Sequence, residues 1–284
     1  MLKEYSFWME QRSVQISHRC KNYTLNVYNS DSERPRPESY FEDLNTAKNC
    51  SSEENCGKLF KNIGAAAESG IDFSSRWFTD PFRIQTIYTT DIVPIDLNAI
   101  LHKVEIIISN FYVLKADMDG FKKFRLLAYK RKSILNSLMW SDKLNSWADY
   151  NLARKCLNEE NFYITNLAPL WMDIRPPKMS FKQIIGKHLS ILSKEEGGVP
   201  FSFVNSTQQW DYSNAWPPNQ HSLIMMLVKH DRQLSLVLAK KFFYSVYLGW
   251  VRSGRIFFFY FSSRTVLIQR GIHLKLFYIF RHDL

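Results

Sequence analysis

The sequence predicts an all-α chain built from helical hairpins, on three observations. Leu97, Ile100, Leu101, Val104, Ile107, Ile108 and Phe111 recur at the i, i+3, i+4, i+7 spacing of one helix face. A second stripe follows at the same period, through Phe121, Phe124, Leu127, Ala128, Arg131, Ile134, Leu135 and Leu138. Between them Asp117–Gly120 breaks the pattern, so two long amphipathic helices meet at a short turn and lie antiparallel. Pro94 and Asp96 stand where the first of these helices should start.

The remaining elements follow in chain order. Val14, Ile16, Tyr23, Leu25 and Val27 alternate, which predicts a short strand pair. A helix is expected over Pro37 to Lys48, with proline at its first position. Cys56, Leu59, Phe60 and Ile63 mark another that ends near Ser69. Ser180 to Lys194 reads as one helix, stopped by Gly197-Gly198-Val199-Pro200, and a last one begins near Pro218. Hairpins repeated around a core fit a toroid or a solenoid, and periodicity does not choose between them.

Composition bounds the class. At 284 residues, 45% hydrophobic, 23% charged and 15% aromatic, the chain is globular and neither disordered nor low in complexity. Four cysteines are too few for a disulfide framework, although one or two bridges are compatible with them. The net charge of +10 is unevenly spread: Arg232 to His282 holds nine Lys or Arg and no Asp or Glu, while the rest is close to neutral. Nucleic acid is therefore not an expected partner, because no basic stripe runs over the folded body. Membrane contact through the basic aromatic tail is a lesser reading. No uncharged apolar run reaches the roughly 18 residues of a spanning helix, and Arg252 and Arg255 interrupt the closest approach. Residues 1 to 12 hold no apolar targeting core. The histidines share no metal-ligand spacing, so neither a metal nor a cofactor is expected.

Chemistry concentrates in three loops. Ser32–Tyr40 carries Arg34, Arg36 and Glu38 between prolines; Glu68–Trp77 reads ESGIDFSSRW; Gly197–Gln220 gathers Trp210, Asp211, Tyr212 and Trp216. Aromatic planes beside carboxylates and amides suit a sugar, which stacks a C–H face on a ring and donates hydroxyls to acceptors. The same residues equally fit a buried aromatic corner in which Asp211 caps a turn.

The motifs in these loops resemble the trehalases, glycoside hydrolases that split α,α-trehalose into two glucoses. Gln208-Gln209-Trp210-Asp211 followed by Asn214-Ala215-Trp216-Pro217-Pro218 is similar to the family's downstream signature. Ala67–Trp77 resembles AESGWDFSSRW, and Pro35–Tyr40 carries the RPES element. Lys3-Glu4-Tyr5, Phe7-Trp8, Pro94–Asn98 and Gly197–Pro200 fall in the family's order.

The resemblance implies an (α/α)₆ toroid of helical hairpins, incomplete in this chain. It divides the chain into a partial catalytic domain over residues 1–245 and an unlike basic aromatic tail over 246–284. It also implies an inverting mechanism, in which one carboxylic acid protonates the glycosidic oxygen while a second carboxylate, about 6.5–9.5 Å away, activates water. Asp72 would be the acid. Arg36, Pro37, Glu38, Gly70, Trp210 and Asp211 would bind the sugar, with trehalose as the small-molecule partner. Each has a plainer reading: Asp72 as a helix cap before Ser74-Ser75, Arg36 and Glu38 in a surface ion pair, Gly70 as a helix C-cap, Trp210 as core.

Three departures stand out: Ile71 for a tryptophan beside the acid, Asn151 closing the W-x-D-Y-D run of Trp147–Asn151, and Ser213 for a proline. The family's P-G-G-R-F signature and its Q-x-G-F-G-W-T-N-G segment are absent. The base is expected beyond residue 245, where Asp283 is the one carboxylate, in no matching context. An inactive product, or a non-catalytic sugar binder, is the alternative. Sequons at Asn22, Asn49 and Asn205 point to an extracellular or cell-surface protein, as animal trehalases are.

Overall fold

The computed structural model describes residues 1–253 and 261–262. Its backbone is helical, as expected, and forms two compact units. The larger comprises Met1–Leu189 and Phe201–Tyr212; the smaller comprises Ser190–Pro200 and the described residues from Ser213 onward.

The larger unit opens with α1 (Leu2–Gln11), then β1 (Ser13–His18) and β2 (Lys21–Asn26). These two strands pair antiparallel from Ser13↔Asn26 to His18↔Lys21. Arg19 and Cys20 between them both take positive φ, 48° and 59°, the twist a two-residue hairpin turn demands. A single 3₁₀ turn over Pro37–Ser39 leads into α2 (Tyr40–Thr46), so the predicted 37–48 helix begins one turn tighter than an α-helix. α3 (Glu53–Glu68) starts where the Ser52 hydroxyl accepts the Asn55 N–H.

The predicted hairpin is α4 (Ile95–Leu114) and α5 (Met118–Leu138), close to the periodicity limits. Ala116 turns the chain at φ 55°, and the Asp117 carboxylate accepts the Gly120 N–H to start the return helix. Around the hairpin lie two-residue strands: β3 (Ile92–Val93), β4 (Trp140–Ser141), β5 (Ser146–Trp147), β6 (Tyr150–Asn151) and β7 (Cys156–Leu157). β3, β6 and β7 pair in that order, and β4 pairs with β5. The end of the Trp147–Asn151 run therefore pairs with the strand that leads into α4.

The Ser180–Lys194 expectation needs correction. The chain there forms α7 (Phe181–Gly186) and α8 (Leu189–Lys194), after the short α6 (Ala168–Trp171). Ser180 and Gln183 cap α7 reciprocally, but the helix ends at Gly186, whose missing side chain gives the weakest helix propensity short of proline. In the smaller unit, β8 (Asn214–Ala215) precedes α9 (Pro217–Val228), followed by α10 (Arg232–Ser253) and β9 (Phe261–Ser262), which pairs with β8. α10 runs through residue 245 without a break, where the sequence suggested a change into a tail. By length and composition alone, α4 and residues 232–251 are apolar enough to cross a membrane, although 44% of that stretch of α4 is buried in the fold.

The core of the larger unit gathers Tyr28, Phe60, Ile63, Trp77, Ile92, Leu101 and Phe124 from the segment after β2, α3, the 75–77 turn, β3 and α4–α5. A buried polar network threads it. Arg131 donates to Glu105, Asn26 and Asn98; Tyr5 donates to the same Glu105 oxygen; Asn26 and Asn98 bond each other reciprocally. Burial holds the Glu105 carboxyl above its usual range, with the Arg131 guanidinium opposing.

Candidate active site

The exit from α3 sets the geometry. Ser69 closes the helix and its hydroxyl accepts the Ile71 N–H, while Gly70 sits at φ 71°. That left-handed conformation is the usual helix exit for glycine, and it exposes the Gly70 backbone. The helix-end role and an approach by ligand are thus compatible. Ile71 turns inward, 3% exposed, and its carbonyl accepts the Trp77 indole N–H at 2.6 Å. The chain then presents Asp72 outward.

Asp72 does not cap a helix. The cap of the 75–77 turn is Ser74, whose hydroxyl accepts the Arg76 N–H at 3.2 Å. The Asp72 carboxylate is instead partly open to solvent, with two neighbours from distant loops. The Trp210 indole N–H donates to Oδ1 at 3.2 Å. Arg36 brings a guanidinium nitrogen to 4.0 Å from Oδ2.

Arg36 is itself held. Its Nε and one terminal nitrogen donate to both oxygens of Asp43, at 3.0 and 2.8 Å, and its backbone N–H donates to the same carboxylate at 2.9 Å. Asp43 is 2% exposed. Asp43 thus occupies one edge of the fork, and the other faces Asp72. These hydrogen bonds and the facing carboxylates hold the Arg36 guanidinium above its ordinary value, against the opposing effect of burial. Glu38 and Pro37 are exposed beside it on the 3₁₀ turn.

Asp211 is held from all sides. It is fully buried, and its carboxylate accepts Ser74 Oγ at 3.0 Å, Ser75 N–H at 2.8 Å, Ser202 Oγ at 2.7 Å and the Ser206 hydroxyl. Those donors fill its lone pairs. Asp211 therefore ties the 72–76 segment to the 202–211 loop, which realises the turn-capping alternative. Trp210, 4% exposed, is fixed by the same tie, and its backbone N–H donates to the Phe73 carbonyl at 3.0 Å. Its ring is core while its N–H reaches Asp72.

A second buried layer supports this one. Arg76, 3% exposed, donates to both oxygens of Asp96 at 2.9 and 2.8 Å and to both oxygens of Asp149 at 2.7 and 2.9 Å. Asp149 also accepts the Ile95 N–H, which fixes the start of α4. Asn151, where the family pattern has Asp, is buried and accepts the Arg154 N–H at 2.8 Å, serving the β6–β7 turn. A polar recess of about 380 Å³ of space open to solvent is lined by Arg76, Tyr88, Asp149, Glu160 and Tyr163 among others, and it does not reach Asp72.

The structure thus brings Arg36, Asp72 and Trp210 together, places Pro37, Glu38 and Gly70 on the exposed turns beside them, and buries Asp211 among four donors. Sequence reasoning did not single out Asp43, Asp149 or Arg76 as supports. The signal for Asp43 was present: a carboxylate seven residues after Arg36, one helical turn into α2.

Fold and site together define an all-α protein of helical hairpins, with one open carboxylate set between an indole N–H and a guanidinium. Comparison with known proteins narrows that class. The profile of the trehalase family matches residues 1–271, and the chain belongs to the trehalase family. It is 34% identical over 261 residues to a trehalase of Apis mellifera, covering 89% of this chain and 41% of that protein. It is 34% identical over 271 residues to a trehalase of Homo sapiens, covering 94% and 45%. Among solved structures it is similar to neutral trehalase Nth1 from Saccharomyces cerevisiae, with a TM-score of 0.63 at 19% identity, over 85% of this chain and 49% of that one. The fold is accordingly that of the trehalase helical toroid. The chain spans less than half the length of these relatives.

Proposed function

We propose that this chain carries part of the active site of an α,α-trehalase, an inverting glycosidase that releases two glucose molecules. The observation that carries the reading is Asp72. It is an open carboxylate, used by no helix cap, fixed by Trp210 and faced by Arg36, at the position where the family motif places its acid.

In this reading Asp72 donates a proton to the glycosidic oxygen as the bond breaks. Trp210 fixes the orientation of the carboxyl. Arg36, Glu38 and the Gly70 backbone contact glucose hydroxyls, with Pro37 shaping the turn. Asp211 and Asp43 act as positioning residues, through Trp210 and the 72–76 segment and through Arg36. The base that activates water is not assigned among the described residues, and Asp283 lies outside them.

The test uses the 284-residue chain and a form extended at both ends to the length of the relatives. The extended form hydrolyses trehalose, and Asp72→Asn lowers its kcat by about 10²–10⁴-fold, the contribution of one positioned acid. The 284-residue chain alone releases no glucose above background. Undiminished turnover by the extended Asp72→Asn protein would remove Asp72 from the mechanism; robust turnover by the 284-residue chain would show that the base lies within it.

We also propose an extracellular or cell-surface location. Asn22, Asn49 and Asn205 are all exposed, so each sequon can take a glycan without unfolding the chain. A secreted product that keeps its mass on deglycosylation would count against this.

A further inference from the structure

Four cysteines are free thiols in this structure. Cys20, in the β1–β2 turn, and Cys156, in β7, are exposed. Cys50 and Cys56 are half-buried and adjoin each other where they pack against the core of the larger unit. The contact follows from how the chain enters α3. The Cys50 N–H donates to the Ala47 carbonyl at 2.9 Å, and Cys56 Sγ points at the same oxygen from 3.9 Å. Ser52 caps the helix between them by accepting the Asn55 N–H at 3.2 Å. The chain thus folds back on itself around one carbonyl, which draws two cysteines six residues apart together.

We propose that Cys50 and Cys56 are a reversible dithiol, which a small-molecule disulfide oxidises to an intramolecular bond that staples the entry of α3. With glutathione disulfide the exchange balances as two protein thiols plus one disulfide giving one protein disulfide plus two glutathione thiols. The Cys56 thiolate attacks one sulfur of the oxidant and expels glutathione thiolate. Cys50 then attacks the Cys56 sulfur of the mixed disulfide, gives up its proton to solvent and releases the second glutathione. Two electrons pass from the protein to glutathione. Burial and the adjoining Cys56 push the Cys50 thiol up to about 11, which suits it to the second step. There its target is held beside it, and proximity offsets a small thiolate fraction.

The staple acts at one end of α3 and leaves the other alone. The helix is 16 residues long, so roughly 24 Å separates its entry from the Gly70–Asp72 exit. Oxidation should therefore change the stability of the entry segment and not the arrangement of Asp72, Trp210 and Arg36.

The peptide bounded by Lys48 and Lys58 contains both cysteines and no internal Lys or Arg, so one tryptic fragment reports the bond. The Cys20→Ser/Cys156→Ser chain is incubated with a fixed ratio of reduced to oxidised glutathione, in native buffer and in urea, then alkylated and digested. In native buffer the 49–58 fragment loses two hydrogens, resists alkylation and regains both on reduction with dithiothreitol. Oxidation is more complete there than in urea, because the fold holds the thiols together. Adding Cys50→Ser leaves a glutathione adduct on Cys56, and adding Cys56→Ser leaves far less on Cys50. The proposal is overturned if the fragment stays alkylatable, if both thiols carry glutathione instead of each other, or if oxidation in urea equals or exceeds that in native buffer.

Discussion

At the scale of single residues, the deciding feature is which carboxylates are satisfied. Asp211, Asp43, Asp96 and Asp149 are each buried and accept several hydrogen bonds, whereas Asp72 accepts one and faces solvent. A carboxylate with filled lone pairs holds structure; one with open lone pairs is free for chemistry. The burial of Arg76 makes a sharp prediction. Two carboxylates compensate its charge, so removing the guanidinium strands them both in the interior. Arg76→Ala should destabilise the fold by about 3–5 kcal/mol, measured by denaturant unfolding. A loss below about 1 kcal/mol, the usual worth of an exposed pair, would show that water reaches the cluster.

At the scale of elements, the site is made by exits and entries of helices and not by their faces. α3 ends at Glu68, and Gly70 supplies the left-handed turn that aims Asp72 outward. A side chain in that conformation costs roughly 1–2 kcal/mol. Gly70→Ala should therefore lower stability by about that amount. It should lower kcat of the extended protein more than it raises KM, since Asp72, the proposed acid, is displaced while the contacts of Arg36 and Glu38 remain. Equal kcat for Gly70→Ala and the parent would show that the turn does not set the position of Asp72.

The long helices were legible because their periodicity is strong: α4 and α5 emerge at nearly the expected bounds. The α7–α8 break was not, because Leu192 continues the apolar pattern across it and only Gly186 marks the stop. The boundary at residue 245 falls inside α10, because it marks where the family resemblance fades, and a loss of resemblance says little about backbone conformation.

At the scale of the whole molecule, two buried histidines link stability to pH. His102, bonded to the Ala128 carbonyl, and His188, stacked on Phe162, both lie in the larger unit and are nearly inaccessible to solvent. Burial holds both imidazoles below their usual value. As pH falls below about 6.5, the unfolded chain takes up a proton at each while the fold does not. Their contribution is therefore complete above that pH and is lost progressively as pH drops toward the lowered values. Thermal melts between about pH 7.5 and 5.5 should show a falling Tm, less so in His102→Gln. A Tm that stays flat across that range would mean that the imidazoles take up protons as readily in the fold as in the unfolded chain.

The sequence by itself determined the helical class, the main hairpin, the family and the motif that holds Asp72, because these rest on periodicity and on local runs that survive without three-dimensional context. The tertiary structure alone decided the division of labour within those motifs. Trp210 and Asp211 are adjacent in one signature, yet one reaches Asp72 with its indole N–H and the other faces inward to four donors. Arg36 faces Asp72 because Asp43, on the next helix, holds its other edge. Which way a side chain points, and whether its lone pairs are filled, depends on partners up to 138 positions away along the chain. Spacing along a sequence carries no record of those distances.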